Sequence, residues 1–538
     1  MIKKENNNEM NSFIKNAMAE TNVAFTENGA LSYQTMGTAL LDQFGKAGTA
    51  RGRDINVVWG EQEALWAENP EMALRFPFYL RMITRKSYGF DHYQTEKIQR
   101  GQGARDESFK RLLWIAEYHP ESFYKNLWIL PLVGSWKDLW VLMSMSDRLD
   151  RTKFYDLIKE GINDDRFRDL VKKYMPRIRS SKVCMTDWAK KTNEYAKEFA
   201  RLAGWTYADY RRFKSTGKAH EFQQYICKGL YSQIKWNTIP GKALLNLISG
   251  DFLAKHNIEK NYVDWLDKQP VAKFNGYPFE LGKVASNANT LAKKMTIDKQ
   301  FENLIKIGRE DNGALKGNIL CALDTSGSMT APINGANGVT SFDVCVSLGI
   351  YFSELNAGAF HNVVAMFDNT SRAKELKGTF TEKLNQIKES ATAWGSTSFQ
   401  SLINLICKLR VEKPGIPLED FPTTLLVISD MQMNNCGSKT NYEAAMDKLR
   451  ECFPESFVDN FKIVWWYCAG RPTNDYPSTM DDGGTYMFSG FDGSIISLLL
   501  GGEGKINPET GEKVKPSMED IANEALNQEV LKFVQLVG

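Results

Sequence analysis

From residue 317 onward, short apolar runs alternate with helical stretches, and that alternation leaves the C-terminal part of the chain few folds to adopt. Strands are expected over 318–323, 362–367, 423–428 and 461–467, with helices over 341–356, 380–390, 398–411 and 441–452. Such a succession builds a mainly parallel sheet covered by helices on both faces. Two of the strands end in carboxylates. Asn318–Leu323 runs into Asp324-Thr-Ser-Gly-Ser328, and Thr424–Ser429 runs into Asp430. In open α/β sheets, ligands bind beyond the carboxyl ends of the strands, so a site is expected at these two ends.

The first of these loops sets oxygens at Asp324, Ser326 and Ser328, on alternate residues of one turn. A second polar loop, Trp394-Gly-Ser-Thr-Ser398, offers Thr397, and Asp430 adds another carboxylate. Hydroxyls and carboxylates without sulfur or imidazole suit a hard divalent cation, Mg2+ first, with Mn2+ or Ca2+ as alternatives. A cation held largely by neutral hydroxyls keeps positive charge, which a partner's carboxylate or phosphate can meet at an open position.

The preceding residues read as helical. Helices are expected over 61–69, 71–85, 108–118 and 121–130 and from 134, then over 185–202, from 239 and over 289–306, with the aromatic and basic stretches 204–220 and 221–236 between them. Pro77 is expected to kink or restart its helix. Residues 251–284 read as loop-rich, and residues 1–30, polar and Asn-rich, as a flexible segment. Short helices broken by Gly, Pro and Asn fit stacked helix pairs, an α-solenoid, although no strict sequence period is present. The boundaries expected are 1–30 flexible, 31–310 helical and 311–538 α/β, with a polar linker at Gly308–Gly313.

The net charge of +2 conceals a strong asymmetry. Residues 1–170 carry −1, residues 171–300 carry +13, and residues 321–538 carry −10. A polyanion is the first candidate partner for the basic middle. The cations singled out there are Lys172, Lys173, Arg177, Arg179, Arg211, Arg212, Lys214 and Lys218, with His220 as a further phosphate donor. Trp205, Tyr207, Tyr210, Phe213, Tyr225 and Trp236 are interleaved with them and could stack on bases, although at helical spacing a core place is the stronger expectation for each.

Catalytic patterns are lacking. The five histidines show no HExxH or zinc spacing, and Gly501-Gly-Glu-Gly-Lys505 lacks the P-loop spacing and its following Ser/Thr. The expectation is a binding protein rather than an enzyme. The eight cysteines form no CxxC pair, which suits free thiols in a reducing cytoplasm. No apolar run reaches about 18 residues, so no membrane span is expected.

Asp-x-Ser-x-Ser, a later Gly-x-Thr loop and a strand-end Asp, in that order, resemble the metal-ion-dependent adhesion site of a von Willebrand factor A domain. A basic helical region followed by such a domain resembles the Ro ribonucleoprotein family, which joins a TROVE ring of HEAT-like helices to an A domain. The resemblance is stronger to the Ro-like branch of bacteria, fungi, plants and viruses. It rests on Thr26–Ala30 with Thr38–Asp42, Leu132–Leu139, Tyr174–Arg177, Tyr210–Arg212, Trp236–Pro240, Asp324–Met329, Ser429–Met431 and Phe488–Phe491. One position departs from the pattern: Gly often follows the strand-end Asp, and here it is Met431. The resemblance implies a closed ring whose ends the A domain joins. It further implies binding of small structured RNA or single-stranded RNA ends, and work beside an exoribonuclease or another protein docked through the cation. A metal-dependent protein–protein assembly module is the alternative function.

Overall fold

The computed structural model describes residues 22–83, 85–87, 94–180, 184, 186–216, 221–312, 315, 317–334, 336, 338–391, 395–469, 475–493 and 516–537. An N-terminal helical region precedes a six-stranded mixed sheet flanked by helices. Two small antiparallel pairs lie in the helical half: β1 (Ala24–Phe25) with β2 (Leu31–Ser32), and β3 (Arg85–Ser87) with β4 (Gln94–Gln99).

The large sheet contains β5 (Ile319–Asp324), β6 (Val363–Phe367), β7 (Ser371–Glu375), β8 (Thr424–Ser429), β9 (Lys462–Tyr467) and β10 (Thr485–Ser489). Its order is β10-β9-β8-β5-β6-β7. All neighbours are parallel except the edge pair β6–β7. Every residue of β5, β8 and β10 is buried, as strands covered on both faces require. The chain leaves β5 toward β6 and β7, then returns to the other side of β5 for β8. The seam between β5 and β8 is therefore the topological switch point, where a crevice opens at the strand ends.

The four expected strands and four expected helices of this half are present within a residue or two. The edge strand β7, the far strand β10 and the helix Met518–Leu526 are additions. β7 is half-exposed and carries Arg372, Lys374 and Glu375, so no apolar run marked it.

In the helical half, four expectations are corrected. The polar linker expected at Gly308–Gly313 is helical as far as Asn312, in the helix Leu291–Asn312. The helix expected over 71–85 runs Pro70–Arg81 with Pro77 inside it, and 85–87 is strand. The stretch 251–284, expected as loop-rich, holds helices Phe252–Lys255, Glu259–Asp267 and Pro278–Ala285, whose short lengths hide their periodicity. Of the segment expected to be flexible, 1–21 lies outside the described residues, but 22–30 has a defined place. Thr26 Oγ1 donates to the Met433 carbonyl at 2.7 Å, and Gly29 bridges to Asn434.

Both ends of the helical region pack on the sheet half. At one end, helix Ala39–Lys46 lies on β10, with Phe44 edge-on to Phe488 at 6.4 Å and the Gly48 N–H donating to Ser489 Oγ at 3.0 Å. Lys46, 3% exposed, sits 3.5 Å from Asp475 and over the Tyr476 ring at 3.7 Å. Burial pushes its pKa down to about 8, against the pull of Asp475. At the other end, Phe301 stacks on Phe380 at 4.1 Å, and Asp298 accepts from the Thr381 N–H and hydroxyl at 2.9 and 3.0 Å. The C-terminal segment also returns to the helices: Asn126 donates to the Gln535 carbonyl and accepts its N–H, at 2.7 and 2.8 Å. Residues 222–292 form a separate small core around Trp236, Tyr262 and Leu266.

A buried charge network ties the first helices together. Arg111, fully buried, donates to Glu107 at 3.0 Å, to Glu61 at 2.7 Å and to Gln43 at 2.6 Å; Arg53 pairs with Glu61 and Glu107. Burial raises the Glu107 pKa, but Arg111 and Arg53 outweigh it and hold the carboxyl below its ordinary value. Arg111→Met should cost about 3–5 kcal/mol, because it strips a buried carboxylate of one of its two cations. Urea unfolding of variant and wild type measures this; a change under ~1 kcal/mol would mean the network is dispensable.

Candidate functional site

Two features stand out: a hydroxyl–carboxylate cluster at the β5/β8 seam, and a basic cleft on the helical region.

The seam positions the cluster through strand register. Leu323 pairs with Ile428, so Asp324 closes β5 opposite the end of β8, and Asp430 follows one residue beyond Ser429. Asp324 is fully buried. Its Oδ1 accepts the Ser326 N–H at 2.9 Å and its Oδ2 the Ser429 hydroxyl at 2.5 Å. Ser326 and Ser328 hydroxyls lie 3.1 Å apart, and Ser328 is near enough to Asp430 to favour its charged form. The third loop is laced to the other two: the Gly327 N–H donates to the Gly395 carbonyl at 3.0 Å, and the Asn434 N–H to the Thr397 carbonyl at 2.8 Å. All five residues expected to hold a cation thus lie on three mutually bonded loops; Trp394 lies outside the described residues.

The electrostatics of the cluster are unbalanced. Burial raises the Asp324 pKa to about 7, with the nearby Asp430 charge adding to it. Asp430 is also raised, by burial foremost and further by Glu27 and Asp475. Thr397 is 1% exposed, and its Oγ1 has no hydrogen-bond partner. A buried hydroxyl without a partner is costly, and one on a loop bonded to the two carboxylate-bearing loops has the chemistry of a cation's ligand. Among the described residues no three His, Cys, Asp or Glu side chains cluster to hold a metal ion; two carboxylates and three hydroxyls make up this set.

Met431, at the position where the resembling domains often carry Gly, has φ = +63°. The left-handed region costs a side chain about 1–2 kcal/mol. Burial of the Met431 side chain and the 2.9 Å bond from its N–H to Ser429 Oγ offset that cost. The loop keeps the backbone shape associated with Gly while carrying a different residue.

One neighbour of the cluster was invisible in the sequence. Residues 26–29 run beside 432–434: the Glu27 N–H donates to Gln432 Oε1 and Asn28 Nδ2 to the Gln432 carbonyl, both at 2.6 Å. Asp475 accepts from Gln432 Nε2 at 2.8 Å. Some 400 residues separate segment 26–29 from its partner, so no local signal could reveal the pairing.

The second feature is a cleft of about 700 Å3 between helix Arg168–Tyr174, the turn 175–180 and helix Tyr207–Ser215. Lys172, Lys173, Arg177, Arg179, Arg211 and Lys214 line it, and among the described residues no carboxylate does. Tyr210, fully buried, joins its walls by donating to the Pro176 carbonyl at 2.9 Å. Lys214 caps the carbonyls of Lys172 and Lys173 at 3.1 and 3.4 Å. Burial, with Arg177 adding to it, pushes the Lys214 pKa down to about 8. Lys172 lies 3.8 Å from Asp169 and over the Phe213 ring. The guanidinium groups of Arg177, Arg179 and Arg211 have no carboxylate partner among the described residues.

Of the other cations named from sequence, Arg212 does not line the cleft. Arg212 pairs with Asp209 at 3.4 Å, one helical step round from Arg211. Lys218 and His220 lie outside the described residues. The interleaved aromatics are mainly structural: Tyr210 and Trp236 are buried, and Trp205 packs on Phe213 at 4.9 Å; Tyr207 is exposed.

Comparison with known proteins gives two findings. Residues 318–535 match a family described as a domain of unknown function, DUF7788. Over 533 residues the chain is 23% identical to "Uncharacterized protein L728" of Acanthamoeba polyphaga mimivirus, covering 90% of this chain and 86% of that protein. The latter similarity extends through both the helical and the sheet halves.

Proposed function

We propose that the chain is an RNA-binding scaffold, of the kind its resemblance to Ro ribonucleoproteins implies, taking single-stranded or small structured RNA on its helical region. The observation that carries this reading is the cleft whose described lining holds six cations and no carboxylate. Three guanidinium groups without carboxylate partners present the planar donors that suit phosphate oxygens. Packing of the helical region on the sheet half at both of its ends is compatible with a HEAT-like ring joined by a von Willebrand A-type domain. Eight unpaired thiols are in keeping with a reducing, cytoplasmic setting. No helix among the described residues is long and apolar enough to cross a membrane.

The test is RNA binding by the full chain across a salt series. If three to six cations meet phosphates, log K should fall with log[salt] with a slope of about −2 to −4. A flat salt dependence, or no nucleic acid retained through purification at low salt, would overturn the reading.

The Thr397 hydroxyl favours a second activity on the same chain. Asp324, Ser326, Ser328, Thr397 and Asp430 would hold Mg2+, or Mn2+ or Ca2+ in its place, and the cation would accept a carboxylate from a protein partner, an exoribonuclease among the candidates. A hydroxyl-rich donor set suits such binding rather than catalysis. The cluster lies in the acidic third of the chain, so an acidic RNA backbone is the less suited ligand there.

A further inference from the structure

We propose that the seam between the helical region and the sheet half holds a second, separate ligand site, for a mononucleotide. A cavity of about 640 Å3 opens there, within the size range of small-molecule sites. The helical region contributes Lys242, helix Pro278–Ala285 with Lys283, and Lys293; the sheet half contributes Phe491, just beyond β10; and the chain between helices Ala39–Lys46 and Ile55–Glu68 contributes Arg51.

Two properties coincide in this cavity. The first is its charge. Among the described residues four cations, Arg51, Lys242, Lys283 and Lys293, and one carboxylate, Glu280, line it, with Asp492 close enough to act on Tyr277. Glu280 is already engaged: its Oε1 lies 2.7 Å from Lys242, and its Oε2 accepts the Tyr277 N–H at 3.0 Å. Arg51 donates to the Gly48 and Ala50 carbonyls at 3.0 and 2.7 Å and has no carboxylate partner among the described residues. Among the described lining residues cations outnumber carboxylates, which suits an anion.

The second property is an aromatic wall. Tyr277 and Phe279 lie nearly parallel, 10° apart with centroids at 5.9 Å, and Phe491 stands edge-on to Phe279 at 5.0 Å. Arg51 lies over the Phe491 ring at 5.0 Å and Lys242 near Tyr277 at 5.9 Å. Tyr277 and Phe279 are only half-buried although they line a cavity. Half-exposed rings beside cations take a planar π system as well as an anion, and a base joined to a phosphate supplies both. Gly490 keeps the wall in place: its φ is +125°, its carbonyl accepts from Trp466 Nε1 at 3.0 Å, and a Cβ there would stand 2.1 Å from Gln102 Oε1.

Equilibrium dialysis of the full chain against adenosine 5′-monophosphate, adenosine and inorganic phosphate tests this. Saturable one-to-one binding of the nucleotide is expected, at least about 10-fold tighter than either fragment. Phe279→Leu, which keeps bulk but removes the π face, and the surface pair Lys283→Glu/Lys293→Glu should each weaken it about 10-fold or more. The cleft variant Arg177→Glu/Arg211→Glu should bind the nucleotide like wild type, so loss of RNA binding and loss of this site are read separately. The proposal is overturned if no saturable binding occurs, if phosphate alone binds as tightly as the nucleotide, or if the Phe279 and Lys283/Lys293 variants, folded by thermal unfolding, bind unchanged.

Discussion

Arg177→Glu/Arg211→Glu should reduce RNA affinity on the order of 100-fold, and should flatten the salt dependence by about 0.7 in slope for each phosphate no longer neutralised. Both guanidinium groups line the cleft and neither has a carboxylate partner among the described residues, so no ion pair of the fold depends on them. Both residues are exposed, and reversal adds two carboxylates to a wall that has none among the described residues. The control is Arg212→Glu. Arg212 is on the same helix but already pairs with Asp209 and does not line the cleft, so its reversal should change affinity only a few-fold. Binding curves at two salt concentrations decide the matter: equal losses from the cleft pair and from Arg212 would mean that diffuse charge, not the cleft, draws the RNA.

The second large effect concerns the cluster at the β5/β8 seam. Asp324→Asn should lower Mg2+ affinity on the order of 100-fold, since it removes one of only two carboxylates in the donor set. Without divalent cation the same variant should be as stable as wild type or more so, because it relieves a fully buried carboxylate crowded by Asp430. Thr397→Val should behave alike. The Oγ1 it removes is buried and has no hydrogen-bond partner, so the substitution should be neutral or stabilising by about 1 kcal/mol without cation. With cation it should lose the added stability, which for wild type reaches about 2.7 kcal/mol at a concentration roughly 100 times Kd. Thermal unfolding with and without excess Mg2+, Mn2+ or Ca2+ provides the readout. Wild-type protein whose melting is unmoved by all three cations would remove the basis for a metal-dependent docking site.

The cluster was legible because its parts are local signals. A buried strand reads as an apolar run, and its end reads as the first polar residue, so Asp324 and Asp430 mark their own places at the strand ends. Thr397 was legible through Gly395, a break between two helical patterns. The cleft cations were legible as a charge excess, but which of them converge was not. Arg211 and Arg212 are adjacent in sequence, yet helix geometry turns them to different directions, and only one reaches the cleft. The aromatics illustrate the same limit: Tyr210 and Tyr207 share a helix, and burial separates a core ring from an exposed one.

What the sequence alone determined is the set of elements and chemistries that depend on nearest neighbours along the chain. These are the parallel strands of the sheet half, the helical texture before them, the oxygen-rich strand ends and the basic middle. What only tertiary structure decided is everything that pairs distant residues. The segment 26–29 lies against 432–434, Lys46 against Asp475, and Asn126 against Gln535. The cavity lined by Arg51, Phe279 and Phe491 draws on three parts of the chain that no periodicity connects. The physical reason is that apolar periodicity reports which face of an element is buried, whereas the partner of that face is chosen by shape and charge across the folded chain.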